Sequence, residues 1–363
     1  MSTAAKRIVI AAGGTGGHMF PAQALGETLL QRGWDVSMMT DARGRPRVEW
    51  LDPDRVFTVQ ATSVSPRKPL QALRGVATLA KGVRTAKRIM GKNLPNVVAG
   101  FGGYPAFPAI RAAQQMGIPT VLHEQNTVLG RVNRVFARRA VAVASGFEEL
   151  RRLPGGATHV VTGNPLREQI WNAVPEGYSA PGDGDIHLLV VGGSLGARII
   201  ARTVPKAVAA LPKDLRKRLV VVQQTTEGEL LNARATYEQA GVRATCEPFF
   251  GDIQNHLAKA HLVIARAGAS SVSEIAAMGL PSILVPLAIA MDDHQTVNAS
   301  SLERLGAAIV LPETGFTPEA LQNVLGETLD DGVWLENAAR AARSVSRPDA
   351  THDLADLVTR AAG

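Results

Sequence analysis

Arg7-Ile8-Val9-Ile10-Ala11-Ala12-Gly13-Gly14-Thr15-Gly16-Gly17-His18 begins one half of the chain, and His187-Leu188-Leu189-Val190-Val191-Gly192-Gly193-Ser194-Leu195-Gly196-Ala197-Arg198 begins the other. Each is a short β-branched run that drops into glycines. A helical pattern follows each: residues 21–32 in the first half, 197–211 in the second. Strand, glycine turn and helix form the opening unit of a doubly wound α/β domain. Further apolar runs at 96–99, 119–122, 141–144, 160–161, 219–222, 262–264 and 282–285 alternate with helical stretches, a spacing that suits parallel strands.

The 363 residues exceed one comfortable core, so two domains are expected. Pro175, Gly177, Pro181, Gly182 and Gly184 mark 173–185 as a linker. The boundaries read as a first domain over 1–164, a second over 165–342 and a C-terminal helical segment over 343–363, whose last helix spans 350–362. That last segment is expected to pack back toward the first domain. Two doubly wound, parallel-sheet (Rossmann-like) domains facing across a cleft make the GT-B architecture of glycosyltransferases. The rival, a pair of dinucleotide domains, needs the pattern G-x-G-x-x-G. It fails, because Gly14 and Gly16 would require glycine at Met19, and Gly192 would require one at Ser194.

Composition narrows the class. Hydrophobic residues make up 45%, enough for packed cores and too much for disorder. No run approaches the roughly 18 apolar residues of a membrane span; the best candidate, 282–291, is interrupted by Pro286. Lys6-Arg7 leads straight into a strand, unlike a secretory leader, so a cytoplasmic protein is expected. A single cysteine, Cys246, excludes intramolecular disulfides and cysteine zinc sites. The net charge of +7 is unevenly spread: residues 1–164 carry 22 Lys and Arg against 9 Asp and Glu, the remainder 17 against 23. From Arg55 to His123, inclusive, there are ten Lys and Arg residues and no acid. Such a run suits an anionic membrane or a phosphorylated substrate. Few aromatics and no helix-turn-helix, RNA-recognition or zinc-finger pattern argue against nucleic acid. Residues 69–91 read as one or two helices with Leu70, Leu73, Val76, Leu79, Val83 and Met90 as an apolar set. Arg74, Lys81, Arg84, Lys87 and Arg88 supply a basic set, and together the two sets suggest a peripheral membrane contact.

The motifs occur in a definite order: Gly13-Gly14-Thr15-Gly16-Gly17-His18 with Pro21, Gly102-Gly103-Tyr104, His123-Glu124-Gln125-Asn126, and Gly163-Asn164-Pro165 with Arg167. Then come Gly192-Gly193-Ser194 with Gly196-Ala197-Arg198, Gly268-Ala269-Ser270-Ser271-Val272-Ser273-Glu274, and His294-Gln295 with Asn298. From about residue 7 to the end, this closely resembles the MurG family of bacterial UDP-N-acetylglucosamine:lipid I N-acetylglucosaminyltransferases. The resemblance implies inverting transfer of N-acetylglucosamine from its UDP ester to the 4-hydroxyl of the muramoyl sugar of lipid I, giving lipid II for peptidoglycan. It implies a peripheral enzyme at the cytoplasmic face of the inner membrane, with no cofactor and no metal, that works among other cell-wall synthesis or division proteins. The first domain would bind the acceptor and face the membrane, and the second would bind the UDP-sugar.

Physical chemistry assigns roles beside that resemblance. Glycine turns at helix N-termini let backbone N–H groups approach an anion, so Thr15, Gly16 and Gly17 and the Ser194 loop are phosphate-binding candidates. His18 stands at a helix start, where the helix dipole disfavours imidazolium and leaves a neutral base. Its rival role is to bond a phosphate or cap the helix. Glu124 is the second catalytic candidate, either orienting the base or sharing its role, with Asn126 and Tyr104 beside the acceptor; strand ends are where such sheets bind ligands. Arg167 carries a guanidinium suited to the leaving pyrophosphate. Ser271-x-x-Glu274 also fits a capping box, a complete structural explanation for that pair. The resemblance instead makes Glu274 the acceptor of hydrogen bonds from the ribose hydroxyls, within the donor motif Gly268 to Glu274. It also makes His294 and Gln295 contacts to the N-acetylglucosamine. Phe250 is expected to border the uracil. Asp292, Asp293 and His294 crowd one loop but lack the geometry of a metal site, and two Asp-x-Asp pairs, at Asp52 and Asp183, read as surface. Closure about Asn164-Pro165 would exclude water. Alternatives are another UDP-sugar transferase with a lipid acceptor, or a nucleotide-sugar binding module without turnover.

Overall fold

The structure, a computed structural model, describes residues 5–62, 69–193, 197–287 and 290–363. The chain divides into two compact units, Met1–Arg167 with Arg347–Gly363, and Glu168–Ser346.

Among the described residues the first unit holds seven strands: β1 Arg7–Ala11, β2 Asp35–Thr40, β3 Val56–Thr58, β4 Val97–Gly100, β5 Thr120–Glu124, β6 Ala142–Ser145 and β7 His159–Val161. They are ordered β3-β2-β1-β4-β5-β6-β7, and every pairing is parallel. Side chains alternate across a strand. Ile8 and Ile10 therefore join one core with Leu25 and Leu29, while Val9 joins the other with Met39, Met90, Ile110 and Leu122. Cores on both faces explain why β4, β5 and β6 are buried throughout, β4 and β6 being almost wholly apolar while β5 ends on the buried polar pair His123 and Glu124.

The second unit repeats the plan with β8 Ile186–Val191, β9 Leu219–Gln224, β10 Arg243–Glu247, β11 Leu262–Ala265, β12 Ser282–Leu284 and β13 Ala308–Val310. Their order is β10-β9-β8-β11-β12-β13, again all parallel. In each unit strand order reverses once, between β1 and β4 and between β8 and β11. Beyond the carboxyl ends of those strands lies the crevice where such sheets bind ligands.

The first helix runs Gly16–Gln31, with Pro21 inside it. It starts five residues earlier than the proline suggested, so Pro21 is its sixth residue and leaves the Gly17 carbonyl without its i→i+4 donor. His18 thus lies within the first helical turn. The C-terminal helix Ala350–Ala361 completes the first unit. Leu354, Leu357 and Val358 enter the core shared with the first helix, against β4 and β5, each contributing about 1.5–3 kcal/mol by burial, and Arg32 pairs with Asp356 at 2.6 Å. Residues 173–185 lie on the second unit rather than bridging the two: the Tyr178 hydroxyl donates to the His261 carbonyl at 2.8 Å, and Arg343 donates to the Pro175 carbonyl. Proline and glycine there mark irregular backbone, and a docked segment needs that as much as a linker does.

The helix Pro69–Lys92 corrects one expectation. At about 100° per residue, Val76, Leu79, Val83, Ala86 and Met90 share a face opposite Arg74, Lys81, Arg84 and Arg88. That apolar face is largely spent on the protein's own core. Met90 and Ala86 are fully buried and Val83 packs beside them, while Val76 is 55% exposed. The side chains of Leu70 and Leu73 lie outside the described residues. Arg74, Lys81, Arg84 and Arg88 are exposed. No helix among the described residues is long and apolar enough to cross a membrane.

Candidate active site

His18 sits where three carboxyl-end loops of the first sheet converge. The turn after β1 carries it, the turn after β4 makes room for it, and the turn after β5 bonds it. Gly103, with φ of +70°, has its α-carbon so close that an added Cβ would stand 3.3 Å from His18 Cδ2 and 3.2 Å from the Gly13 backbone. An L side chain would be strained there and would press on the imidazole. The glycine turn itself crowds the same atom, since a Cβ on Gly13 would also lie 3.3 Å from Cδ2.

His18 Nδ1 is 3.0 Å from Gln125 Oε1. Gln125 Nε2 donates to the Phe101 carbonyl at 3.1 Å and lies 3.2 Å from His123 Nδ1. His123 Nε2 in turn donates to the Gly163 carbonyl at 3.1 Å. His123 is 1% exposed. Burial lowers its pKa to about 4, the Gly163 bond opposing this and the nearby His18 reinforcing it. His123 is therefore neutral, with its proton on Nε2 and a lone pair on Nδ1.

Glu124 is buried beside this chain, and its carboxylate accepts four hydrogen bonds. Asn126 N–H and Nδ2 reach Oε1 at 3.2 and 3.1 Å; Gly130 N–H and Asn133 Nδ2 reach Oε2 at 2.8 and 3.0 Å. The carboxylate thus shapes the loop that carries Asn126 and ties the start of the helix Arg131–Phe136 to the end of β5 through Gly130 and Asn133. Tyr104 starts the turn after Gly103 and accepts a hydrogen bond from Arg43, which Asp41 holds at 2.9 Å. Thr15 is the N-cap of the first helix and uses no side-chain bond there. An added Cβ at Gly17 would meet nothing, and one at Gly16 would touch Phe20 at 3.2 Å. Arg167 stacks on Phe20, two residues past His18, its guanidinium 4.4 Å from the ring centroid.

In the second unit, the turn after β11 leads into the helix Ala269–Met278. Gly268 is the N-cap, and no side chain caps this end. Ser271 lies inside the helix rather than at its cap, so the capping-box geometry is absent. Ser270 Oγ donates to Glu274 Oε1 at 3.2 Å, orienting the carboxylate along the first turn. Ala269 and Val272 are buried and hold the helix on the sheet, while Gly268, Ser270, Ser271, Ser273 and Glu274 are half-exposed. His294 and Gln295 begin the helix His294–Glu303, and Gln295 Oε1 accepts from Leu287 N–H at 2.9 Å. As a sugar ligand Gln295 would offer its amide N–H groups. Phe250 is half-buried, its ring 4.9 Å edge-to-face from His256. Ser194 lies outside the described residues.

Several residues that frame these sites carried no role in the sequence reading. Gln125 and His123 sat unassigned inside the quoted motif beside Glu124. Buried Asn298 ties the His294 helix to the turn after β11 through the Ala267 carbonyl, at 3.1 Å. Arg266, also buried, joins the loops after β11 and β12 by donating to the Val285 and Pro286 carbonyls and pairing with Glu313 at 3.2 Å. Nothing in the local pattern distinguishes such an arginine from a surface one.

Two all-parallel, doubly wound units, each with its candidate residues at the carboxyl ends flanking a switch point, make the GT-B architecture. The comparisons agree over the whole chain. Residues 8–145 match the glycosyltransferase family 28 N-terminal domain, and residues 187–354 match the C-terminal domain of that family. The chain is 51% identical over 356 residues to the UDP-N-acetylglucosamine–N-acetylmuramyl-(pentapeptide) pyrophosphoryl-undecaprenol N-acetylglucosamine transferase of Maricaulis maris (strain MCS10), covering 97% of each. It is 42% identical to the protein of the same name from Brucella abortus (strain S19), covering 96% of this chain and 93% of that one. The crystal structure of Acinetobacter baumannii MurG superposes with a TM-score of 0.79 at 31% identity, over 98% of this chain and 99% of that chain. The chain belongs to glycosyltransferase family 28, and within it to the MurG-like N-acetylglucosamine transferases.

Proposed function

We propose that this enzyme transfers N-acetylglucosamine from UDP-N-acetylglucosamine to the 4-hydroxyl of the muramoyl sugar of lipid I, with inversion, forming lipid II. The relation to the Maricaulis maris transferase, 51% identity across 97% of both chains, carries this reading. His18 Nε2 removes the acceptor hydroxyl proton as the oxygen forms its bond to the donor anomeric carbon. The bond from that carbon to the β-phosphate oxygen breaks, and UDP leaves with the electron pair. Glu124 acts by holding Asn126 and its loop, because four donors already occupy its carboxylate. In the second unit Glu274 accepts from the ribose hydroxyls, and Phe250 borders the base. His294 and Gln295 meet the sugar, while Arg167, the Ser194 loop and the helix N-termini stabilise charge on the leaving diphosphate. The first unit takes the acceptor and the second the donor. The test is UDP release from purified enzyme: it should appear with UDP-N-acetylglucosamine plus lipid I and be absent without lipid I. Release that proceeds equally with a diacylglycerol or a glycoside acceptor would replace lipid I with a broader acceptor class.

The enzyme works as a peripheral protein at the cytoplasmic face of the inner membrane, beside other cell-wall synthesis and division proteins. Its acceptor is anchored in the bilayer, and the exposed stripe of Arg74, Lys81, Arg84 and Arg88 offers an anionic surface about 1 kcal/mol per charge. Since the apolar face of that helix is mostly core, attraction there is electrostatic and should weaken with salt. Changing Lys81, Arg84 and Arg88 to Glu should abolish salt-sensitive binding to vesicles containing phosphatidylglycerol, with turnover of a water-soluble short-chain acceptor intact. Vesicle binding that survives in the triple variant at low salt places the docking surface elsewhere.

A further inference from the structure

His18 can serve as a base only through a ring nitrogen that keeps its lone pair, and the other nitrogen's partner decides which one that is. The partner here is an amide, which can offer either an acceptor or a donor according to how it is turned. Its orientation is dictated from behind. Gln125 Nε2 faces the Phe101 carbonyl at 3.1 Å, and a carbonyl oxygen can only accept. It also faces His123 Nδ1 at 3.2 Å. That nitrogen accepts too, because the Gly163 carbonyl, likewise an obligate acceptor, holds the His123 proton on Nε2. Both amide hydrogens are therefore committed on one side, and Oε1 is the atom left to face His18. Turning the amide over would set its oxygen against two acceptors and its N–H groups toward His18, losing two buried hydrogen bonds.

We propose that Gln125, anchored by His123, is a positioning residue that holds His18 as the Nδ1–H tautomer and so leaves the base lone pair on Nε2. Among the described residues Nε2 has no hydrogen-bond partner. It lies beside Gly103, where an added Cβ would come within 3.5 Å of it, so a bare glycine keeps that edge of the ring open. When Nε2 takes the acceptor proton, the resulting imidazolium keeps its Nδ1–H bond to Gln125 Oε1. No heavy atom of the relay has to move during the transfer, which is what electrostatic preorganisation requires. His123 and Gln125 act through His18 and touch no substrate. The proposal rests on His18 being the base of the transfer described above.

Nitrogen-15 NMR of enzyme labelled in its histidine rings reads the tautomer directly, with the His18 signals assigned by their loss in His18→Ala. At pH 8 the wild-type His18 should show a protonated Nδ1 and a bare Nε2. Gln125→Met preserves length and bulk but removes the acceptor. In that variant the proton should redistribute toward Nε2, and kcat should fall about 10- to 100-fold, less than the loss of the base itself because the Nδ1–H form can still be reached. The KM for UDP-N-acetylglucosamine should stay within about two-fold, since Gln125 belongs to the first unit. A proton on Nε2 in the wild type overturns the proposal, as does a folded Gln125→Met variant with unchanged tautomer and kcat. The wild-type spectrum decides the matter even if the variant does not fold. It is also independent of turnover: absence of lipid I-dependent UDP release would sink the transferase reading and leave the tautomer result standing.

Discussion

His18→Ala is expected to lower lipid I-dependent UDP release by about 100-fold or more while leaving the affinity for UDP-N-acetylglucosamine within about two-fold. The split follows from where His18 sits. It belongs to the first helix of the first unit, its ring flanked by Gly13, Gly103 and Gln125, whereas Glu274, Phe250, His294 and Gln295, proposed to hold the donor's nucleoside and sugar, belong to the second unit. Removing the ring deletes a proton acceptor and leaves the backbone of the glycine turn in place, because the imidazole bonds the Gln125 side chain and no backbone group among the described residues. Initial-rate kinetics with saturating lipid I measure the first effect, and calorimetric titration of the donor measures the second. Turnover close to normal would exclude His18 as the base. Glu124 would then be reconsidered, although its carboxylate would first have to release some of the four donors it holds.

Glu274→Ala should weaken UDP-N-acetylglucosamine binding by about 1.5–3 kcal/mol, the range for hydrogen bonds to a charged group. A capping role predicts something else, a loss of thermal stability with donor affinity unchanged. The helix begins at Gly268 with no side-chain cap, and Glu274 receives Ser270 Oγ–H from within the helix, so the stability cost should be small. Comparing UDP with 2′-deoxy-UDP isolates the ribose contact. Wild type should prefer UDP and Glu274→Ala should lose much of that preference. Equal discrimination by the two proteins would show that the carboxylate does not read the ribose.

Strands buried on both faces were the easiest elements to read from sequence, because an uninterrupted run such as Val97-Val98-Ala99 has little else to be. Strands with a wet side were harder. β2 carries Asp35 and Ser37, and β3, β10 and β13 are edges; Arg243-Ala244-Thr245-Cys246-Glu247 alternates like a surface segment and gives no continuous apolar run. The Pro69–Lys92 helix shows a second limit. Its two-faced pattern is visible in the sequence, but an amphipathic stripe looks the same whether it meets a membrane or the protein's own core. Burial of Ala86 and Met90 assigns most of it to the core.

Local chemistry determined a good deal by itself: two parallel-sheet domains from two strand–glycine–helix openings, exclusion of dinucleotide binding from a glycine spacing, and the position of His18 after a glycine turn. These depend on neighbours within one or two turns of chain, where backbone geometry and sequence are directly coupled. Partners far apart in sequence were decided only by the tertiary structure. Gln125 is 107 residues from His18 and His123 is 40 from Gly163, so no periodicity or motif spacing encodes their contact. The same holds for the C-terminal helix against the first helix and for Arg266 with Glu313. Which nitrogen of His18 bears the proton is the extreme case. It depends on the direction of one buried amide, and two acceptors that only the folded sheet brings together set that direction.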